Sequence, residues 1–492
     1  MRNRFLDGWK FGSIFITNLF TMNRSLLLLF LFVGFSAAVS AQPCNCRDEF
    51  LSLQGYMEKN YAGFRDKVSD STRAAYDSVT AATLHRATGA GKPLFCLALM
   101  REWLQFFRDG HNAITTNGKF GPPSPGGEMI RLTPSKLAAL GGTSPGRGAT
   151  HERGAAAIEG IYYYSDSTYK IAIVRSKTRD RDFAGVMLAS RTPNWEPGQV
   201  KLELTQISPN HFSTIMYMRD HSADVEDFVF DGSSFNKGEW FRAGTTGPHR
   251  ATVERPLLQA RQLSSRTFYI GIGSFDDPYA SAIDSLIRAD SVLLRTMPNL
   301  ILDLRGNDGG SDFVYEPLTP LLYADPVHDI GVDVLATADN VKSWSALLDN
   351  KNITGWTRYS IQHTIAGMKA HPGQFISVTP DRVATLPVVR PFPQRVVVLI
   401  DGACASTTEQ FLLEAMQSRK VLVMGQHTAG VLDYSNVRER PFDCLPFTLH
   451  YCTTRSRRID QGKEIDNIGI QPAMVLGDEE DWVEAARKYL ER

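Results

Sequence analysis

Two strand–turn–helix segments, about a hundred residues apart, constrain this chain more than any other feature. The first runs Asn299-Leu300-Ile301-Leu302-Asp303-Leu304-Arg305-Gly306-Asn307-Asp308-Gly309-Gly310. The second runs Val396-Val397-Val398-Leu399-Ile400-Asp401-Gly402-Ala403-Cys404-Ala405-Ser406-Thr407-Thr408-Glu409-Gln410-Phe411. Each is an apolar strand that breaks at small residues and continues into a helix. A serine opening a helix holds its hydroxyl at the positive end of the dipole, beside unpaired backbone N–H groups. A turn with adjacent glycines offers more free N–H groups. A nucleophile with two sources of oxyanion donors is the minimum set for acyl transfer.

The bulk numbers leave an enzyme open and argue against other classes. Lys+Arg and Asp+Glu are each 53, so the net charge is zero, which disfavours a nucleic-acid binder driven by phosphate contacts. Hydrophobic content of 43% in 492 residues is that of an ordinary globular protein of several domains. The N-terminus reads as an export signal over 1–41. Asn23 and Arg24 precede the run Leu26–Val33, and Val39-Ser40-Ala41 forms a cleavage site before Gln42. Met22 is an alternative start, and an uncleaved anchor over about 11–41 is the competing reading. After cleavage no membrane span is expected, and the mature chain is placed in the periplasm or outside the cell.

Export makes disulfides admissible among the six cysteines. Cys444 and Cys452 flank the apolar run Leu445–Tyr451 and are expected to pair. Cys96 reads as core. The spacings match no zinc site, and His-Glu-x-x-His is absent.

Along the chain, 42–120 reads as a helical region. Its best helix, 93–108, carries a wide apolar stripe and is expected to end on Gly110 as a C-cap. A Gly-, Pro- and Ser-rich stretch over 119–150 reads as a linker. Within 150–250, strand-like runs recur every 10–14 residues or so between turn residues, the pattern of a small all-β barrel or sandwich built from hairpins. From 258 to 492 strands and helices alternate, which predicts an α/β core.

At these residues the chain resembles the C-terminal processing and tricorn-core family of serine peptidases. The family's Asp-Leu-Arg-x-Asn-x-Gly-Gly strand end is matched by Asp303–Gly310. Its Ser-Ala-Ser-x-x-Glu turn, whose second serine is the nucleophile, is matched by Cys404-Ala405-Ser406-Thr407-Thr408-Glu409, and its Gly-x-x-Thr-x-Gly segment by Gly425–Gly430. The resemblance implies a catalytic core of ClpP/crotonase type over 258–492, a polypeptide substrate, and neither metal nor organic cofactor. The tail-specific branch keeps a dyad lysine just after that third segment; here Val431-Leu432-Asp433-Tyr434 follow. The tricorn-like branch instead uses a histidine from the helical part and a C-terminal acid. Asp109-Gly110-His111 and Asp466-Asn467-Ile468-Gly469 resemble those segments, with Asp466 standing where the branch has Glu. No PDZ module is evident, and the β-rich stretch occupies its place.

The resemblance assigns Ser406 as nucleophile, His111 as base, Asp466 as the acid that holds the imidazole, and the N–H groups of Gly309 or Gly310 and of Thr407 as oxyanion donors. Plainer roles compete. Ser406 could be only an N-cap, Gly309 and Gly310 only turn glycines, His111 a packing residue and Asp466 a surface turn. His427, beside Thr428, is the rival base. Asp303, Arg305 and Glu409 read as structural. The rival function is a catalytically silent binding protein on the same fold; an esterase is a weaker rival. A pyridine-nucleotide enzyme is disfavoured because Gly-x-Gly-x-x-Gly is missing.

Overall fold

The computed structural model describes residues 44–116, 128–141, 158–178, 180–208, 210–245, 256–351, 353–477 and 480–492. The expected export signal, 1–41, lies outside them, as does most of the 119–150 linker. No helix among the described residues is long and apolar enough to cross a membrane.

A six-stranded sheet carries both turns. Its order is Leu258–Gln262, Thr267–Ile272, Asn299–Asp303, Arg395–Ile400, Val421–Gly425 and Met474–Val475. The first pair is antiparallel and the rest are parallel. Buried parallel strands are apolar on both faces, and side chains alternate between them. Val396, Val398 and Ile400 therefore face one core, with Phe411 and Leu412 of the helix Thr407–Ala415 and with Ile283 and Leu318. Val397 and Leu399 face the other, against Trp482, Ala486 and Leu490 of the C-terminal helix. Asn299 pairs with Arg395 and Asp303 with Leu399. Adjacent parallel strands in register deliver their C-terminal turns to the same edge, where open α/β sheets keep their crevice.

A second, antiparallel sheet is centred on the long strand Phe447–Ser456, which pairs with Tyr434–Pro441, Ala113–Thr116 and Val332–Leu335, the last paired in turn with Phe375–Thr379. The N-terminal helices pack on this sheet. Phe50, Leu53, Met57, Trp103 and Phe107 share one core with Phe447, Leu449 and Tyr451. The helix Pro93–Leu104 continues as a 3-10 turn, Gln105–Phe107, and the left-handed residue that ends it is Arg108 (φ 48°). Gly110 is thus not the C-cap. It is small because a β-carbon there would stand 2.9 Å from Val431 Cγ2.

Eight strands between Gly160 and Arg242 form one antiparallel sheet around Tyr162, Ile171, Phe183, Leu202, Phe212, Phe228 and Trp240. Phe230, just after the end strand Ala223–Val229, meets Phe235 of the other end strand, Ser234–Phe235, in an isolated bridge. The helices Ala338–Ala346 and Gly355–Ala370 have no counterpart in the sequence reading.

The cysteines pair differently from expectation. Cys444 bonds Cys44, Cys46 bonds Cys96, and Cys404 and Cys452 are buried free thiols. Cys444 lies in the turn before Phe447–Ser456 while Cys452 lies within that strand. An extended chain rises about 3.3 Å per residue, which carries the two far beyond the Cα separation a disulfide tolerates. Cys96 is core, as read, and bonded as well.

Candidate active site

Ser406 stands at the N-cap of the helix Thr407–Ala415 with φ 53° and ψ −120°. A side chain held at positive φ is strained, and such strain survives only where neighbours over-determine it. Here Glu409 does so. Fully buried, it accepts from the Ser406 N–H (3.2 Å), closing a capping box, and from Gly430 N (2.8 Å), Val431 N (2.8 Å) and the Thr428 hydroxyl. Glu409 therefore does more than start the helix; it clamps the serine turn to the Gly425–Gly430 turn.

His111 comes from 295 residues away, and its Nε2 lies 3.0 Å from Ser406 Oγ. Several ties bring it there. Ala113 and Ile114 pair with His450 and Leu449. Asn467 Nδ2 donates to Arg108 O at 2.8 Å. Gly110 lets the turn lie against Val431. His427, the rival base, is exposed and meets the carbonyl of Thr428 through Nδ1; no hydrogen bond joins it to Ser406.

The acid side of the site is less direct than the resemblance implies. Asp466 Oδ1 accepts from Leu432 N (3.0 Å) and Asp433 N (2.8 Å). Its Oδ2 has no hydrogen-bond partner and lies 3.7 Å from Lys67 Nζ. No hydrogen bond joins Asp466 to His111, whose Nδ1 is buried and unpartnered. An aspartate is one methylene shorter than the glutamate of the related segment, and the backbone of 432–433 holds it back. The carboxylate nearest Nδ1 in the ion-pair geometry is Asp109, with Oδ1 at 3.8 Å. Asp109 is buried, accepts the His111 backbone N–H (3.0 Å) on Oδ1 and the Tyr61 hydroxyl (2.9 Å) on Oδ2. Burial first, then the negative charge of Asp109, raises Asp466 to about 7. Sequence reasoning passed over Asp109, Tyr61 and Lys67. The only available signal was that Asp109 sits two residues before His111.

The oxyanion donors divide. Gly309 N donates to Asn307 Oδ1 at 3.1 Å, so its N–H is engaged within its own turn, a correction to its expected role. Fully buried Asn307 also accepts the Thr408 hydroxyl and donates to Ile272 O, locking the two turns together. Among the described residues the N–H groups of Gly310 and Thr407 donate to no protein acceptor. They are held close, since Thr407 Oγ1 donates to Gly310 O at 2.8 Å. Gly310 has φ 141°, and a β-carbon there would strike the Phe275 carbonyl at 2.1 Å. Asp303 holds Arg305 in an ion pair and accepts the Tyr269 hydroxyl, a structural role.

Residues 266–476 match the model of Peptidase family S41. No curated protein matches the chain. Among solved structures it is similar to mature CPAF (12% identity, 91% of this chain and 95% of that one, TM-score 0.46). It is also similar to the photosystem II D1 C-terminal processing protease (13%, 91% and 98%, TM-score 0.38) and to the tricorn protease (10%, 90% and 37%, TM-score 0.36). The region that holds Ser406, both glycine turns and Asp466 belongs to peptidase family S41.

Proposed function

We propose that this chain is an exported serine peptidase in which Ser406 attacks the scissile carbonyl and His111 is its base. The observation that carries this reading is the 3.0 Å contact between His111 Nε2 and Ser406 Oγ, two residues far apart in sequence and aligned for proton transfer. His111 takes the serine proton and returns it to the leaving amine. The N–H groups of Gly310 and Thr407 receive the oxyanion, each worth on the order of 10²–10³ in rate. Water then repeats the attack on the acyl-enzyme through the same imidazole. Asp109 and Asp466 supply negative charge on the Nδ1 side, where the imidazolium develops. Closing a 3.8 Å gap to Asp109 on substrate binding is the tightening that such sites undergo.

The core is assigned to the ClpP/crotonase type, with the β-rich 150–250 region as an inserted domain that governs access to a polypeptide substrate. Two disulfides support export. One observation favours the rival reading of a silent binding protein: Nδ1 of His111 has no acceptor. A fluorophosphonate probe separates the two. The peptidase reading expects stoichiometric labelling of the wild type and none of Ser406→Ala. An unlabelled wild type, folded and disulfide-bonded, would refute it.

A further inference from the structure

Behind His111, on the side away from Ser406, the fold gathers Asp109, the imidazole Nδ1 and a thiol, Cys452, that the proposed hydrolysis leaves unused. Cys452 lies within the strand Phe447–Ser456, fully buried and outside both disulfides. Beside it stands Asp109, the carboxylate that takes the Tyr61 hydroxyl and the His111 backbone N–H. One donor atom from each of Asp109, His111 and Cys452 lies within 4.8 Å of the other two. The imidazole atom on this side, Nδ1, is 3.8 Å from Asp109 Oδ1 and is buried with no hydrogen-bond partner.

Nitrogen, thiol sulfur and carboxylate oxygen together are the donors of a borderline-soft divalent cation, not of calcium or magnesium. Tetrahedral zinc with bonds of 2.0–2.3 Å sets its donors about 3.3–3.8 Å apart. The His111–Asp109 separation already meets that, and the set as a whole needs a contraction of roughly 1 Å. Charge also favours a cation. Asp109 is a buried carboxylate, and the Lys67 ammonium nearby pairs with Asp466 at 3.7 Å.

We propose that Asp109, His111 and Cys452 form an inhibitory Zn²⁺ site behind the nucleophile. The inhibitory part rests on His111 being the base of Ser406. Zinc takes the Cys452 sulfur as thiolate: the S–H bond breaks, a Zn–S bond forms, and the proton leaves to solvent. The Nδ1 lone pair and an Asp109 oxygen bind next, and water completes the shell. With Nδ1 metallated, the ring proton resides on Nε2, which faces Ser406 Oγ. An Nε2–H is a donor and cannot accept the serine proton, so the nucleophile stays protonated.

Metal binding is read separately from activity. The chelator-stripped, disulfide-intact chain is titrated with Zn²⁺ against a chromophoric chelator, and with Co²⁺ for the near-ultraviolet thiolate charge-transfer band. Wild type and Ser406→Ala should each bind one equivalent and show the band. Cys452→Ala should lose the band and weaken binding by at least about tenfold. Cys452→Ser, close to isosteric, serves the same comparison if the alanine variant does not fold. Probe labelling of Ser406 is then compared with and without Zn²⁺ for each protein. Labelling of the wild type should slow by more than about tenfold and recover with EDTA, while the Cys452 variants show a ratio near one. No zinc bound by Ser406→Ala at micromolar metal, or binding indifferent to Cys452, overturns the site. Zinc bound through Cys452 by a wild type that never labels would remove the inhibitory role together with the peptidase reading and leave the metal site standing.

Discussion

Gly110 and Val431 touch: a β-carbon on Gly110 would stand 2.9 Å from Val431 Cγ2 and 3.2 Å from Cγ1. This contact seats the histidine turn on the turn that follows the serine helix's clamp. Gly110→Ala should displace His111 from Ser406 and lower kcat/KM by about tenfold or more, because proton transfer needs hydrogen-bond reach. Adding Val431→Ala should restore most of the rate. A double-mutant cycle with no coupling would show that the contact does not set the imidazole's place.

Ser406→Ala should lower peptide hydrolysis by about 10³-fold or more with the fold intact. The backbone there is held at φ 53°, which glycine adopts without penalty. Ser406→Gly should therefore be as inactive as the alanine variant but more stable than it, by about 1–2 kcal/mol. Thermal melts of the two variants side by side decide the second point.

Asp466 is raised from 3.8 to about 7 by burial and then by Asp109, against the lowering effect of the Asp433 and Leu432 backbone N–H groups it accepts. The folded protein thus holds this proton more tightly than the unfolded chain does. The linked stabilisation is complete below the unfolded value and is lost as pH rises through about 7. Wild type should lose melting temperature relative to Asp466→Asn between about pH 4 and 7. Activity should move the other way, rising as the carboxylate ionises, and Asp466→Asn should lack that component of the profile. Both are measured in chelated buffer. Parallel melting profiles for the two proteins would place the ionisation elsewhere.

Gly310→Ala should destabilise by about 2–4 kcal/mol, since the new methyl meets backbone and not a movable side chain. It should also cost about 10²–10³ in kcat through the displaced oxyanion donor. Gly306→Ala, where a β-carbon meets nothing within 4 Å but φ is 82°, is the control for backbone conformation alone. Equal losses in the two variants would point to conformation, not to oxyanion donation.

A non-reduced digest should yield the linked peptides Cys44–Cys444 and Cys46–Cys96, with Cys404 and Cys452 alkylated only after unfolding. Cys44→Ser should lower stability by about 2–5 kcal/mol, because the bond closes a loop of 400 residues in the unfolded chain. A Cys444–Cys452 peptide would contradict the pairing.

What the sequence determined by itself is local. Apolar runs bounded by small residues are enough to set the strands Asn299–Asp303 and Arg395–Ile400, the helix behind Ser406 and the glycines that only their turns tolerate, because backbone conformation answers to neighbours in the chain. The resemblance then pointed to His111, but nothing near position 111 could place it 3.0 Å from Ser406. That distance depends on the strand Ala113–Thr116 pairing with Phe447–Ser456, a choice made by burial of the helical region's apolar face against that sheet. Only tertiary structure decided that Cys444 meets Cys44 and not Cys452, since extended geometry within one strand keeps near neighbours apart. It alone decided that Gly309 turns its N–H to Asn307 while Gly310 leaves its own free, because donor direction follows from φ and ψ and not from residue type. And it alone set Asp109 and Cys452 behind the imidazole, where burial and close charges, not sequence spacing, fix what those groups can bind.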